Sequence, residues 1–456
     1  MKIHPPILDI PPNNPYVNDL FGRKAFAESL LLLIKNVDDG IVLCIDAPWG
    51  DGKTSFAQMW IADLQQRGIK CIYYDAYEHD YCDDPFISFS AEIISLAETN
   101  FSGNKEVQKL KEDFKSKAKR IGSKFITVGA RIGAKALTLG VIENSDIDAL
   151  KNIKEDLAKD ASEVSSAVVG RIFDNYTATK NQVDEFKEKL SNLGQAVKTS
   201  QGFPLLIIID ELDRCRPDFA LALLERIKHL YMTDCMSFIL LVNMKQLENY
   251  VKTIYGNSID ARNYLHKFIT LSTILPKNKS NQYDNDYTKY LHRLMIYHEI
   301  DKIPNIEHFI VDFFKDYQFS LREMEQCITI LTVYYTQLPK NSFHVTHIIC
   351  FLAVLRIRFP QIFSALETGM LSYKELSDKT NVEKITYSDK ESTKFYFLGL
   401  LKYLLLTDEE YKTLDEDEGR RGYDQMFGNV LFLRGISRKE IIPLFCSELL
   451  KFRKEN

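Results

Sequence analysis

Asp46-Ala-Pro-Trp-Gly-Asp-Gly-Lys-Thr-Ser55 follows the continuous apolar run Ile41-Val-Leu-Cys-Ile45. It precedes a segment whose apolar residues Phe56, Met59, Trp60 and Leu64 recur at helical spacing up to Gly68. Strand, glycine-containing turn, then helix is the setting of a phosphate-binding loop. In the pattern G-x-x-x-x-G-K-[ST] the window runs from Ala47 to Thr54. Gly50 and Gly52 let backbone N–H groups curl around phosphate oxygens, Lys53 is placed to neutralise terminal phosphates, and Thr54 to ligate Mg²⁺. The expected nucleotide contacts are Pro48, Trp49, Gly50, Asp51, Gly52, Lys53, Thr54 and Ser55. Ala47 departs from the pattern's first glycine, and a small residue at that point can keep the turn.

A second motif lies far downstream, in Pro204-Leu-Leu-Ile-Ile-Ile-Asp-Glu-Leu-Asp-Arg-Cys215. Leu205 to Ile209 read as a buried strand that ends in Asp210 and Glu211, the form of a Walker B strand. Asp210 is expected to hold Mg²⁺ through water and Glu211 to polarise an attacking water. An acidic cap on a helix starting near Pro217 is the alternative, weakened by the phosphate loop upstream. Ser237-Phe-Ile-Leu-Leu-Val242 is a further strand ending at Asn243, where a polar side chain can reach a γ-phosphate. Asn243-Met-Lys-Gln246 does not match the guanine-reading motif Asn-Lys-x-Asp, so ATP is favoured over GTP. Lys70 to Tyr74 and Phe268 to Leu275 are the remaining strand candidates, and their alternation with helical patterns predicts a parallel α/β sheet.

Upstream, Asn18-Asp-Leu-Phe-Gly-Arg23 leads into a helical run from Phe26 to Ile34. Two readings stand side by side: Arg23 beside an adenine base, or an ordinary helix start capped by Asp19 with Gly22 in the turn. Near the other end, Ser320 and Glu323 fit a capping box. Arg322, beside that helix start, reads equally as a γ-phosphate contact from a lid and as a surface residue.

The 456 residues suffice for two or three domains, and a net charge of −5 settles nothing about nucleic acid, which local patches decide. Eight scattered cysteines without a C-x-x-C pair argue against structural zinc and a disulfide framework. No uncharged apolar run is long enough to span a bilayer and the first residues lack a secretory core, so a cytoplasmic location is expected. The division reads as an irregular arm over 1–17, a core over 18–103 and 198–276, a helical hairpin insertion over 104–197, and a helical lid and C-terminal subdomain over 277–456. Between Lys105 and Lys135 the insertion carries ten Lys or Arg against three acids, while its second arm leans acidic. Pairing of the arms and contact with a protein, membrane surface or nucleic acid all account for this.

Several stretches together resemble the KAP family of P-loop ATPases: Pro48-Trp-Gly-Asp-Gly-Lys-Thr-Ser55, Asp75-Ala-Tyr-Glu78 followed by Asp83-Asp-Pro-Phe86, and Asp210-Glu-Leu-Asp-Arg-Cys215. Gln246-Leu-Glu248, Asp260-Ala-Arg-Asn-Tyr-Leu-His-Lys-Phe268 and Leu321-Arg-Glu323 continue the match. The resemblance implies an additional-strand, catalytic-glutamate core with sheet order 5-1-4-3-2, a long helical insertion and a helical C-terminal region. Many members carry two transmembrane helices in the insertion, whereas this one holds Lys124, Arg131 and Lys135 in its most apolar portion. Glu211 replaces the second aspartate of many members. Family members include a phage-exclusion protein, which implies a candidate role in bacterial antiviral defence.

The resulting expectation is a Mg²⁺-dependent ATPase. Lys53, Glu211, Asn243 and Arg322 form its catalytic set, Thr54 and Asp210 hold its metal, and turnover rearranges helical elements for partner or self assembly. The alternative is a nucleotide-switched scaffold with little turnover. Arg214, Arg216 and Arg262 are candidate arginine fingers, and the oligomer is expected to form through the insertion.

Overall fold

The computed structural model describes residues 8–449 apart from 38–39, 83–84, 86–87, 91, 94–186, 189, 232–234, 278–285, 302, 304–305, 339–344, 386–389 and 414–434. It contains two compact units. One takes in the described residues of Asp9–Pro48 and Gly52–Pro276, the other those of Trp49–Asp51 and Lys277–Asn456.

The first unit is built on five strands: β1 (Ile41–Asp46), β2 (Cys71–Asp75), β3 (Leu205–Asp210), β4 (Met236–Val242) and β5 (Leu271–Ile274). They lie in the order β2-β3-β4-β1-β5, the expected 5-1-4-3-2 read from the other edge, and every pairing is parallel. The runs IVLCI, LLIII and SFILLV are buried throughout, as parallel strands covered on both faces must be. β4 separates the phosphate-loop strand β1 from β3. Asp46 pairs in register with Val242, and Asp210 with Leu241 and Asp75, so these strands end nearly level. Ligands of open parallel sheets bind at this carboxyl edge.

The edge strand β5 is shorter than the run from Phe268 to Leu275 suggests. Phe268 and Ile269 are buried in the turn and loop that follow a helix, and Leu271 and Ile274 are exposed, as only an edge strand permits.

Around the sheet are α1 (Arg23–Lys35), α2 (Lys53–Gln66), α3 (190–201), α4 (Pro217–Tyr231), α5 (Met244–Tyr255) and α6 (Ala261–His266). Trp60 of α2 is fully buried and stacks on Phe56 at 5.7 Å, so the helix carrying the loop lysine is anchored by its aromatic face. Most of the expected insertion lies outside the described residues. Of its second arm, Leu190, Leu193 and Val197 are described, and they pack from α3 into the core of the sheet unit with Ile72, Tyr74 and Leu205. Among the described residues no helix is long and apolar enough to cross a membrane.

The second unit is helical: α7 (Asp286–His298), α8 (Ile306–Asp316), α9 (Leu321–Gln337), α10 (Thr346–Arg358), α11 (Pro360–Glu367), α12 (Tyr373–Thr380), α13 (Lys390–Leu405), α14 (Asp408–Lys412) and α15 (Ile441–Glu448). Its centre is α10, buried on all sides from Ile348 to Leu355. Phe351 of α10 meets Phe313 of α8 at 5.4 Å and Phe397 of α13 at 5.2 Å, three rings from three helices locking one core. The predicted capping box is present: the Glu323 N–H donates to Ser320 Oγ and the Ser320 N–H to Glu323 Oε2.

Candidate functional site

Residues 47–54 link the end of β1 to α2. Gly50 and Gly52 take φ values of 84° and 78°, in the left-handed region that side chains disfavour, so both glycines are required by the backbone. Gly52 is the N-cap of α2, which puts the first turn of a 14-residue helix, with its unsatisfied N–H groups, at the head of the loop. Ala47 is buried and is not among the positive-φ residues. A methyl group therefore fits where the family pattern has glycine, and the Ala47 N–H is tied to Val242 O at 3.0 Å.

Lys53 is the first residue of α2 and is buried. Its Nζ donates to Ala47 O at 2.7 Å and Pro48 O at 3.3 Å, and Asp213 Oδ2 lies 3.6 Å away. Thr54, next in sequence, donates its hydroxyl proton to Glu211 Oε1 at 2.9 Å. Walker A and Walker B residues, separated by 157 positions, thus meet directly across the sheet edge. Ser55 is half-buried on α2, and Pro48 and Trp49 are exposed on the loop.

On the β3 side, Asp210 is fully buried. It accepts the Glu211 N–H at 2.8 Å and the Tyr73 hydroxyl of β2 at 3.2 Å. Burial, then the neighbouring Glu211 carboxylate, push the Asp210 carboxyl up to about 6. Glu211 takes a left-handed conformation with φ 59°, beyond the strand, and its Oε2 pairs with Arg214 Nε at 2.6 Å. Asn243 follows β4, one strand over, and its side chain caps α5 by accepting the Gln246 N–H. Arg216 is engaged with the chain after β2, through its N–H to Asp80 Oδ2 at 3.1 Å and its guanidinium to Cys82 O at 3.4 Å. Arg262 is exposed on α6.

Arg23 is almost fully buried, and its guanidinium donates to Gly52 O at 3.0 Å. Asp19 accepts the N–H groups of Phe21 and Lys24 and so ties down the start of α1, whose N-cap is Gly22. Asp75 serves turn chemistry, accepting the N–H groups of Tyr77 and Glu78. In the helical unit, to which the loop tip Trp49–Asp51 belongs, Asp51 pairs with Lys277 at 2.7 Å and the Arg322 N–H donates to Gly50 O at 3.3 Å.

Asp213 and Tyr73 are absent from the residues singled out by sequence. Asp213 sits inside the quoted Walker B stretch, and a third acid, three positions after Asp210, is a signal that pattern matching could have carried. For Tyr73 the sequence holds no signal, since its role depends on β2 lying beside β3.

The residues present fit a metal-bound nucleoside triphosphate. The hydroxyl of Thr54 lies beside the Asp210–Glu211 pair, a hard-oxygen donor set of the kind Mg²⁺ takes when it completes its shell with waters and phosphates. Among the described residues no group of three or more His, Cys, Asp or Glu could by itself hold a metal ion.

The raised Asp210 carboxyl has a consequence for the nucleotide-free protein. A carboxyl whose folded value of about 6 exceeds the ordinary 3.8 binds its proton more tightly when folded. Its contribution to stability is therefore full below 3.8 and is lost as pH rises towards 6. Asp210→Asn removes that dependence, so the melting temperature of the variant minus that of wild type is expected to grow from pH 4 to pH 6 and then level. A flat difference over that range would show that Asp210 titrates normally.

A family model described as the KAP family P-loop domain matches residues 23–338. No curated protein matches. Among solved structures, the Aeropyrum pernix ORC2 protein, in ADPNP-ADP complexes, aligns over 94% of each chain at 14% identity with a TM-score of 0.33, too low for any inference from its details.

Proposed function

The chain belongs to the KAP family of P-loop NTPases, and from that premise we propose that it binds ATP with Mg²⁺ and hydrolyses it. The observation that carries this reading is the convergence of Lys53, Thr54, Asp210 and Glu211 at the carboxyl edge of the sheet, with Thr54 bonded to Glu211 at 2.9 Å. Lys53 and the loop N–H groups bind phosphate oxygens. Thr54 and Asp210 hold the metal, and Glu211 takes the proton of the attacking water on its carboxylate. Asn243 contacts the γ-phosphate from the end of β4, and the same role is proposed for Arg322 on the strength of its sequence position at a helix start. Pro48, Trp49, Asp51, Ser55 and Arg23 line or brace the nucleotide. Bound Mg²⁺ supplies charge neutralisation on the phosphates. ATP rather than GTP is the substrate on the strength of the Asn243-Met-Lys-Gln246 sequence.

The test is phosphate release from ATP and from GTP by the full chain, with Mg²⁺ and with excess EDTA. Release from ATP alone, abolished by EDTA, is expected; equal release from both nucleotides would remove the ATP assignment. The output proposed for the cycle is rearrangement of the helical elements for partner or self assembly in the cytoplasm. A place in antiphage defence rests on family resemblance.

A second reading has its own support. Lys53 is bonded to its own loop and Glu211 is paired with Arg214, contacts that phosphate oxygens and a metal can exchange for their own. In that reading ATP binding itself switches a scaffold. Light scattering that shows ATP-dependent assembly without phosphate release would favour it.

A further inference from the structure

The lysine that gives a phosphate loop its charge is already satisfied in this protein. Two of its donors go to Ala47 O and Pro48 O, and its charge is faced by Asp213 at 3.6 Å. Both partners of the ion pair are buried, Lys53 to 7% exposure and Asp213 to 0%. Asp213 lies on the one-turn helix Leu212–Arg214, immediately after the Walker B acids. That turn is pinned from a third element: the Tyr250 hydroxyl of α5 donates to the Asp213 carbonyl at 2.8 Å. The carboxylate thus comes from a fixed turn, while Lys53 has a flexible four-carbon stem.

A buried ammonium without a counter-charge is costly, and so is a buried carboxylate. The pair therefore stabilises the nucleotide-free arrangement. A terminal phosphate offers Lys53 a competing anion, with more charge and several acceptor oxygens. We propose that Asp213 is a positioning residue that holds Lys53 in the nucleotide-free protein and sets nucleotide affinity by competing with the terminal phosphates for its charge. This rests on the nucleotide-binding reading above. Because Asp213 supports the unliganded state more than the liganded one, deleting its charge destabilises the free protein more than the complex, and binding tightens by the difference between the two.

The experiment is titration of a fluorescent ATP analogue, with Mg²⁺, into full-length wild type, Asp213→Asn and Asp213→Glu, with thermal melts of each free protein. Asp213→Asn is expected to melt lower when free yet bind about ten-fold more tightly, a change of roughly 1.4 kcal/mol. Asp213→Glu keeps the charge and is expected to stay within about three-fold of wild type, a change well under that. A purely structural role predicts the opposite sign, weaker binding in Asp213→Asn. Wild-type binding that Asp213→Asn leaves unchanged or weakens overturns this inference alone, whereas absence of wild-type binding overturns the nucleotide reading and this inference with it. If Asp213→Asn does not fold, Asp213→Ser repeats the charge deletion. Failure of both to fold overturns the proposal, because the carboxylate is then needed to build the core and not to hold the lysine.

Discussion

Replacing Glu211 by glutamine is expected to slow ATP turnover about 10²- to 10⁴-fold, the usual cost of losing a general base. The side chain keeps its length, and its amide oxygen can still accept the Thr54 hydroxyl that Glu211 Oε1 accepts at 2.9 Å. What disappears is the basicity and the charge facing Arg214 at 2.6 Å. ATP affinity is therefore expected to hold within a few-fold, about 1 kcal/mol or less. The separation of effects is the useful part: a single-turnover measurement of phosphate release should collapse while equilibrium binding of the same variant persists. Turnover that survives Glu211→Gln would move the base to another residue.

Lys53→Ala is expected to act on two quantities at once. Loss of charge-assisted hydrogen bonds to phosphate should weaken ATP about 100-fold, near the upper end for bonds to charged groups. The free protein should also become less stable, because the fully buried Asp213 carboxylate loses the ammonium 3.6 Å away. Breaking a buried pair from one side typically costs about 3–5 kcal/mol. Denaturant unfolding without nucleotide reads this term. The double variant Lys53→Ala/Asp213→Asn should recover much of the stability, since it removes the buried carboxylate charge together with its ammonium partner, but none of the affinity. If Lys53→Ala binds ATP as wild type does, the loop is not the nucleotide site.

The strands of the sheet are readable because each carries its own evidence, whereas their order follows from the family resemblance and not from any one run. The runs IVLCI, LLIII and SFILLV are apolar on consecutive residues, which suits only strands covered on both faces. The glycine turn and the paired acids then identify which two strands face the ligand. β5 was less legible at its start, since Phe268 and Ile269 are as apolar as strand residues but serve the packing of the α6 turn. Periodicity cannot separate those two uses.

Within the site, positions adjacent to a motif were foreseeable and positions brought by another strand were not. Lys53, Thr54, Asp210 and Glu211 come from patterns whose spacing already encodes their chemistry. Tyr73 reaches Asp210 because Asp75 of β2 is in register with Asp210 of β3, a fact of strand pairing that β2 alone does not contain. Arg23 stands out in the sequence beside Gly22, but its donation to the Gly52 carbonyl depends on the position of α1 relative to the loop, 29 residues away in sequence.

The placement of β4 between β1 and β3 acts as a ruler. Adjacent strands lie about 4.8 Å apart, so the phosphate-gripping and water-activating strands are held roughly two spacings, about 10 Å, from one another by hydrogen-bonded backbone rather than by side chains. β2 stands at the far edge, and the long connection from Asp75 to Leu205 leaves and re-enters the sheet on that side. Lengthening that connection leaves the three-strand gauge untouched as long as Leu190, Leu193 and Val197 keep their place in the sheet core, and loop-closure cost grows only slowly with length. The edge position of β2 makes the segment beyond it the part of the chain most open to evolutionary replacement, with the calibration of the site preserved.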